Sequence, residues 1–457
     1  MYVDDWVSLF RGSMPRRAAG SALFALLSIW AASALAGPRI QHWQAPSGAE
    51  VYFVEDHDLP IVDVSVNFPA GSGFDSTKQS GLAALTQGML DHGTAGLSED
   101  DISRKLADVG AELGGNFDQD RAGFSLRTLS SAPERNAALQ VLAGLLQRPS
   151  FPPAILAREK TRTIAALKDA QTQPEAIAVK DFARAVYGSH PYGLPPNGEI
   201  ATVSRIQRPD VVKFYRTHYG ANSAVVALMG DVTRAEAEAI AQQLTGALPP
   251  GGASAELPPV APHIPPSELR VPHPATQSHI LVGAPGITRT DPDYFTLYVG
   301  NYVLGGGGFE SRLMKVVREK NGMAYSVYSY FFPLQQAGLF QIGLQTKKEQ
   351  TDAALAMVRS TLDRYVEDGP TEQELTAAKD NIIGGFPLRI DSNKKIVEYL
   401  SLIGFYHLPL TYLDDFTGKV QQVTVAQIRD AFRRRVDPHA MATVIVGAPG
   451  ASKEGGK

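Results

Sequence analysis

VSRIQRPDVVKFYRTHYGANSAVVALMG, residues 203–230, returns in altered form as VQQVTVAQIRDAFRRRVDPHAMATVIVG, residues 420–447. The two stretches are each 28 residues long and align without a gap at an offset of 217, so that Val203 meets Val420, Ile206 meets Val423, Val211 meets Ile428, Arg216 meets Arg433 and Gly230 meets Gly447. Each reads as a helix, a turn and an apolar strand ending in glycine. Equal lengths and equivalent places at the ends of two halves predict a duplicated α/β domain. The shared identities are few, and chance similarity of two helix-strand units is the competing reading.

Between the copies lies GALPPGGASAELPPVAPHIPPS, residues 246–267, which cannot sustain a regular helix or a central strand and is the expected linker. It separates residues 37–245 from residues 268–450, each expected to be a mixed-sheet α/β (α+β) domain. At 457 residues the chain is too long for one ordinary core. A hydrophobic share of 44% and a formal net charge of −4 describe a globular protein without the basic excess that would point to nucleic acid. Cysteine is absent, which excludes disulfides, thiolate metal sites and a cysteine nucleophile.

Arg16 and Arg17 precede an apolar run from Ala22 to Ala32 that ends in Ala34-Leu35-Ala36, the pattern of a cleavable signal peptide over residues 1–36. Asp4 and Asp5 suit such a start poorly, so Met14 stands as an alternative first residue. The run is about half a membrane span, which predicts no stable span after cleavage and, in a Gram-negative cell, a periplasmic location.

In the first half, Glu50 to Val54 and Ile61 to Phe68 read as strands around the turn-like Asp56 to Pro60. The alternation of Val62, Val64, Val66 and Phe68 predicts one buried face and one wet face. SGLAALTQGMLDHGT, residues 80–94, reads as a core-facing helix with its stripe at Leu82, Leu85, Met89 and Leu90 and its stop at Gly93. Further elements are expected at Glu99–Val109 (helix), Ala122–Leu129 (strand), Ala132–Gln147 (helix) and Pro152–Gln171 (helix). The second half carries LGGGGFESRLMKVVREKNGMAYSVYSY, residues 304–330. Gly305, Gly306, Gly307 and Gly308 give a backbone that can approach a ligand or flex. A helix from Glu310 to Lys320 and an aromatic strand follow. No Gly-Lys-Ser/Thr follows the glycines, the dinucleotide spacing is not met, and no G-x-S-x-G elbow occurs.

Taken together, Gly81-Leu82-Ala83 through Met89-Leu90 and Gly93-Thr94, the run His190-Pro191-Tyr192-Gly193 and the segment REKNGMAYS from Arg318 to Ser326 resemble an insulinase-type (M16) metallopeptidase of the bacterial two-domain class. The family also includes mitochondrial processing peptidase and the bc1 core proteins. The resemblance implies duplicated α/β domains whose paired halves enclose a peptide chamber, and an H-x-x-E-H zinc motif. Here the two His ligands would fall on Ala84 and Gly88, the general base on Gln87 and the third ligand on Ala166, with the Glu seven positions earlier matched by Glu159. None of the four key positions can ligate zinc, and a neutral Gln cannot act as the base at neutral pH. Asp91 and His92 offer at most a weak ion site. The family's substrate-handling Arg and Tyr match Arg318 and Tyr325, which the resemblance has reaching a partner's zinc site; from the residues alone, a solvated charge paired with Glu319 or Glu310 and a buried strand aromatic are the alternatives.

The expectation is therefore a pseudo-enzyme: no intrinsic catalytic residue or metal, no cofactor on this chain, zinc on an H-x-x-E-H partner subunit, and unfolded peptide as the shared substrate. A purely structural or assembly subunit and an autonomous peptide-binding module are the alternatives.

Overall fold

The computed structural model describes residues 39–252 and 256–447. The expected signal peptide lies outside the described residues. In the first half, β1 (Gln41–Gln44), β2 (Glu50–Glu55), β3 (Ile61–Phe68), β6 (Glu112–Phe117), β7 (Ala122–Leu129) and β8 (Val225–Gly230) form a sheet in the order β1-β2-β8-β3-β7-β6, with β2 and β8 parallel. Gly93–Thr94 (β4) and Leu97–Ser98 (β5) make a separate two-residue ladder. In the second half, β9 (Ser267–Pro272), β10 (Gln277–Pro285), β11 (Ser326–Phe332), β12 (Leu339–Lys347) and β13 (Ala442–Gly447) run β11-β12-β10-β13-β9, with β9 and β13 parallel. Apart from the extra β1, the two orders are the same.

The helices of the first half are α1 (Leu82–Met89), α2 (Glu99–Asp108), α3 (Ala132–Gln147), α4 (Pro153–Ala170), α5 (Pro174–Tyr187), α6 (Ile200–Arg205), α7 (Arg208–His218) and α8 (Arg234–Thr245). Those of the second are α9 (Tyr294–Asn301), α10 (Thr351–Asp368), α11 (Glu372–Gly385), α12 (Asn393–Phe405), α13 (Tyr412–Gln422) and α14 (Val425–Arg435). The offset read from the sequence carries the start of α7 onto α14, of β8 onto β13 and of β2 onto β9. The two helices begin alike: the Asp210 side chain accepts from the Gln207 amide at 2.8 Å, and the Gln427 side chain accepts from the Thr424 amide at 2.8 Å. Gly230 and Gly447 share φ values of 132° and 133°, and a side chain at either would run into the carbonyl of Ile61 or Gln277. Duplication, rather than chance, accounts for this correspondence.

Each half also covers the other's sheet. From the second half, α12 lies on β8, β3 and β2 and buries Ile396, Val397, Leu400 and Ile403 against Tyr52, Val54, Val225 and Ala227. From the first half, α5 lies on β13 and β10 and buries Ala178, Phe182 and Val186 against Leu281, Ala442, Val444 and Val446. Each such large apolar side chain contributes about 1.5–3 kcal/mol relative to exposure. Gly404 lets α12 approach, since a Cβ there would stand 2.6 Å from Tyr52 and Val225.

This exchange corrects the expected wet face of β3. Asp63, Ser65 and Asn67 are buried as well as the valines between them. Buried polar groups need partners, and these have them: Arg127 donates twice to Asp63 at 2.9 and 3.0 Å, and Asn67 donates to Ser65 at 2.8 Å and to Ser401 of α12 at 2.7 Å. A second bolt is Asp120, which accepts from Tyr192 of the first half and from Tyr406 (2.7 Å) and the Gln335 amide (2.7 Å) of the second. The linker is docked: Leu257 is buried beside Tyr187 and Tyr192, and His190 Nε2 sits 2.7 Å from the Pro258 carbonyl.

Candidate functional site

The helix at the metal position is shorter than its apolar stripe suggests. It spans Leu82–Met89, Leu90 closes it, and Gly93 belongs to β4 with φ 148°. The buried Asp75 carboxylate caps its start, accepting from the amides of Gly81 at 2.7 Å and Ala83 at 2.9 Å. Burial pushes this carboxyl up to about 7, against the opposing pull of those amides.

Gln87, at the base position, is buried and turned inward. Its Nε2 donates to the Gly123 carbonyl of β7 at 2.7 Å and its Oε1 accepts from the Tyr219 hydroxyl at 2.9 Å. The side chain thus ties α1 to β7 and to the end of α7. Ala84 is half-buried, Gly88 is exposed with nothing within 4 Å of where its Cβ would stand, and Ala166 is exposed on α4. Zinc does not fit this set: its four positions hold two methyl groups, a hydrogen and a neutral amide already engaged on both sides. Nearby, His92 lies 3.1 Å from Glu99 and 3.8 Å from Glu159, while Arg158 bridges those two carboxylates at 3.0 and 2.8 Å. This is an ion-pair network with a guanidinium inside it, and among the described residues no cluster of three or more His, Asp or Glu is arranged to hold a metal ion.

Arg318 and Tyr325, by contrast, stand together at the surface, Tyr325 exposed and Arg318 half-buried. The Arg318 guanidinium lies 5.5 Å from the Tyr325 ring centroid and 4.9 Å from that of Phe309, so the two rings flank it. Tyr325 is 72% exposed and Phe309 60%. Glu310, one expected partner of Arg318, is taken by Lys315 at 2.7 Å, and among the described residues Arg318 forms no ion pair. Tyr325 is therefore not the buried strand aromatic that the residues alone allowed. The sequence reading missed Phe309, although an aromatic directly after four glycines was a visible signal.

The glycines are packed more closely than a loop. Gly305 and Gly306 close a π-helical turn, Tyr302–Gly306, that continues α9, and Arg318 itself sits in a second π-helical stretch, Met314–Lys320, in place of the expected α-helix from Glu310. A side chain at Gly305 would strike the Ser329 amide of β11, and one at Gly307 would come within 2.7 Å of the Tyr302 carbonyl. Asn301 and Ser329 lock the turn to the strand through bonds of 2.9 and 2.6 Å. Gly308 alone has φ +59° and open space around it. Such π-helical turns cluster at functional sites.

Two related α/β halves with exchanged helices, a helix that holds no ligand at the metal position and a surface Arg/Tyr pair match the pattern that the sequence resemblance implied, without its zinc ligands. Residues 50–197 match the model of the insulinase family (peptidase family M16), and residues 205–382 match that of the peptidase M16 inactive domain. The chain belongs to the M16 family. It is 37% identical to a peptidase M16 inactive domain from Pseudomonas fluorescens whose crystal structure superposes with a TM-score of 0.86, covering 91% of this chain and 99% of that one. It is 26% identical to the non-peptidase homolog YmxG of Helicobacter pylori, over 91% of this chain and 94% of that protein. An uncharacterized zinc protease of Streptomyces coelicolor is 26% identical over 79% of this chain and 80% of its own length.

Proposed function

We propose that this chain is the non-catalytic subunit of a periplasmic, heterodimeric M16-type zinc peptidase: it completes the peptide chamber and lends Arg318 and Tyr325 to the zinc site of an H-x-x-E-H partner. The observation that carries this is a contrast in engagement, with both ends of the Gln87 amide bonded within the core while Tyr325 is exposed and the half-buried Arg318 beside it has, among the described residues, no carboxylate partner. A guanidinium held between two rings is pre-oriented, and its N–H groups and the Tyr325 hydroxyl are donors suited to a peptide carbonyl whose oxygen gains negative charge as water attacks. The substrate is unfolded peptide, and zinc supplies the Lewis acid and the activated water on the partner alone.

The test compares peptide cleavage by the purified chain, by the candidate partner and by the two mixed, with zinc measured on each. The expected result is no zinc and no cleavage for this chain, with cleavage by the mixture well above that of the partner alone. Stoichiometric zinc on this chain, or a complex that forms and cuts nothing, contradicts the reading; the second result points to an assembly subunit.

A further inference from the structure

Between the halves lies a cavity of about 800 Å³ with walls from both: Asn67 and Phe117 on the first-half side, Tyr399 and Tyr412 on the second. Arg289 and Arg389 line it. Among the described residues neither guanidinium is in an ion pair, and the Arg289 Nε is buried with no hydrogen-bond partner at all. That Nε is shielded from the cavity, and it is the rest of the half-buried Arg289 guanidinium that a ligand oxygen would meet.

The local carboxylates do not supply it. Asp291 and Asp293, beside Arg289 in sequence, are held by Arg434 and Arg435 at 2.8 to 3.0 Å. Asp118, on the cavity wall, pairs with Arg121 at 2.8 Å, and the wall's Lys395 pairs with Asp391 at 2.8 Å. Glu398 is exposed and is the remaining acidic group of the lining. The wall therefore carries an excess of positive charge in a chain whose formal net charge is −4.

The two arginines are also aligned. Tyr294 and Tyr298, one turn apart on α9, stack with centroids 6.1 Å apart and planes 12° from parallel. Arg289 lies over the first ring at 4.8 Å and Arg389 over the second at 5.9 Å. The ring contacts restrict the freedom of the two guanidiniums, and a guanidinium's fork of N–H groups suits paired bonds to a planar oxyanion.

The geometry points to a carboxylate-binding pocket: Arg289 and Arg389 hold a carboxylate of a bound peptide, from its chain end or from an acidic side chain, against the tyrosine wall. This rests on the reading of the chain as a peptide-handling subunit, but it needs neither the partner nor its zinc, so the two stand or fall separately.

The test measures binding to the purified chain of an N-acetylated alanine-rich pentapeptide with a free C-terminus, its C-terminal amide, the amide carrying one internal Glu, and inorganic phosphate. At least one carboxylate-bearing peptide is expected to bind about tenfold or more tighter than the plain amide, and which one identifies the source. Arg289→Gln and Arg389→Gln are each expected to abolish that preference, and Arg389→Lys, checked for an unchanged melting temperature, to retain part of it. Equal binding of acid and amide, no binding of any peptide, preference for phosphate over both carboxylates, or an unaltered preference in folded variants overturns the inference.

Discussion

The helix of Gln87 and the stretch from Phe309 to Tyr325 carry the two positions to which the M16 resemblance assigns base and substrate-handling roles, and they are built in opposite ways. At Gln87 both ends of the amide are spent on protein partners, the Gly123 carbonyl and the Tyr219 hydroxyl. At Arg318 the guanidinium is flanked by aromatic faces and, among the described residues, has no ion-pair partner. A group whose hydrogen bonds are all internal serves the fold; one held in place by stacking alone has bonds left for something else. On the proposed reading, this difference puts the chain's contribution to catalysis in its second half.

The contrast can be broken most severely at Gln87. Gln87→Glu places a carboxylate against the Gly123 carbonyl oxygen that had accepted the amide N–H, leaving a buried charge without a donor on that side, and is expected to destabilise the chain by about 2–3 kcal/mol at neutral pH. Burial raises the folded-state pKa of the new carboxyl, so the stability that the protonated form retains is fully present below the unfolded value near 4.3 and is lost as pH rises through the folded one. Urea denaturation at pH 4.5 and pH 8 checks this, and an equal cost at both would show that position 87 is not engaged as described.

Gly404→Val is expected to cost about 1–3 kcal/mol, because Tyr52 and Val225 leave no room for a side chain on α12. The same denaturation measurement reports it, with increased proteolysis between the halves as a second reading. Asp75 gives a test of the helix cap. Its carboxyl, raised by burial to about 7, makes the folded chain bind a proton that the unfolded chain releases near 3.8, so this group's stabilisation is fully present below pH 3.8 and lost as pH rises through about 7. Asp75→Asn is expected to remove that slope from the stability profile between pH 4 and pH 7. The smallest effect is expected at the outward site: Phe309→Leu removes one of the two rings around Arg318 and is expected to lower turnover of the reconstituted heterodimer a few-fold with little change in melting temperature.

Much of the frame was legible in the sequence because it depends on local patterning. Ile61–Phe68, Ala122–Leu129 and Ala132–Gln147 fall where periodicity placed them, and the offset between the halves survives in helix starts, strands and a terminal glycine. The exchange of α5 and α12 was not legible. Alternation along β3 reports which side chains are apolar, not what a helix more than 300 positions away will cover, and Asp63, Ser65 and Asn67 look like surface residues until Arg127 and Ser401 are seen beside them. The π-helical turns were hidden for a similar reason: Glu310 to Lys320 has good helical composition, and only packing of Gly305 against β11 shows how the backbone is wound. At the candidate site, the residues Ala84, Gln87, Gly88, Ala166, Arg318 and Tyr325 were readable through family resemblance. The inward turn of Gln87, the ring of Phe309 beside Arg318 and the convergence of Arg289 and Arg389 on one cavity required three dimensions.

The central claim, that this chain acts on a partner's reaction rather than its own, is tested most directly by Arg318→Ala in the reconstituted heterodimer. Turnover of an unfolded peptide is expected to fall about 10²-fold, as for loss of an oxyanion donor, with assembly and partner zinc content unchanged. Unaltered turnover in an intact complex would contradict the account.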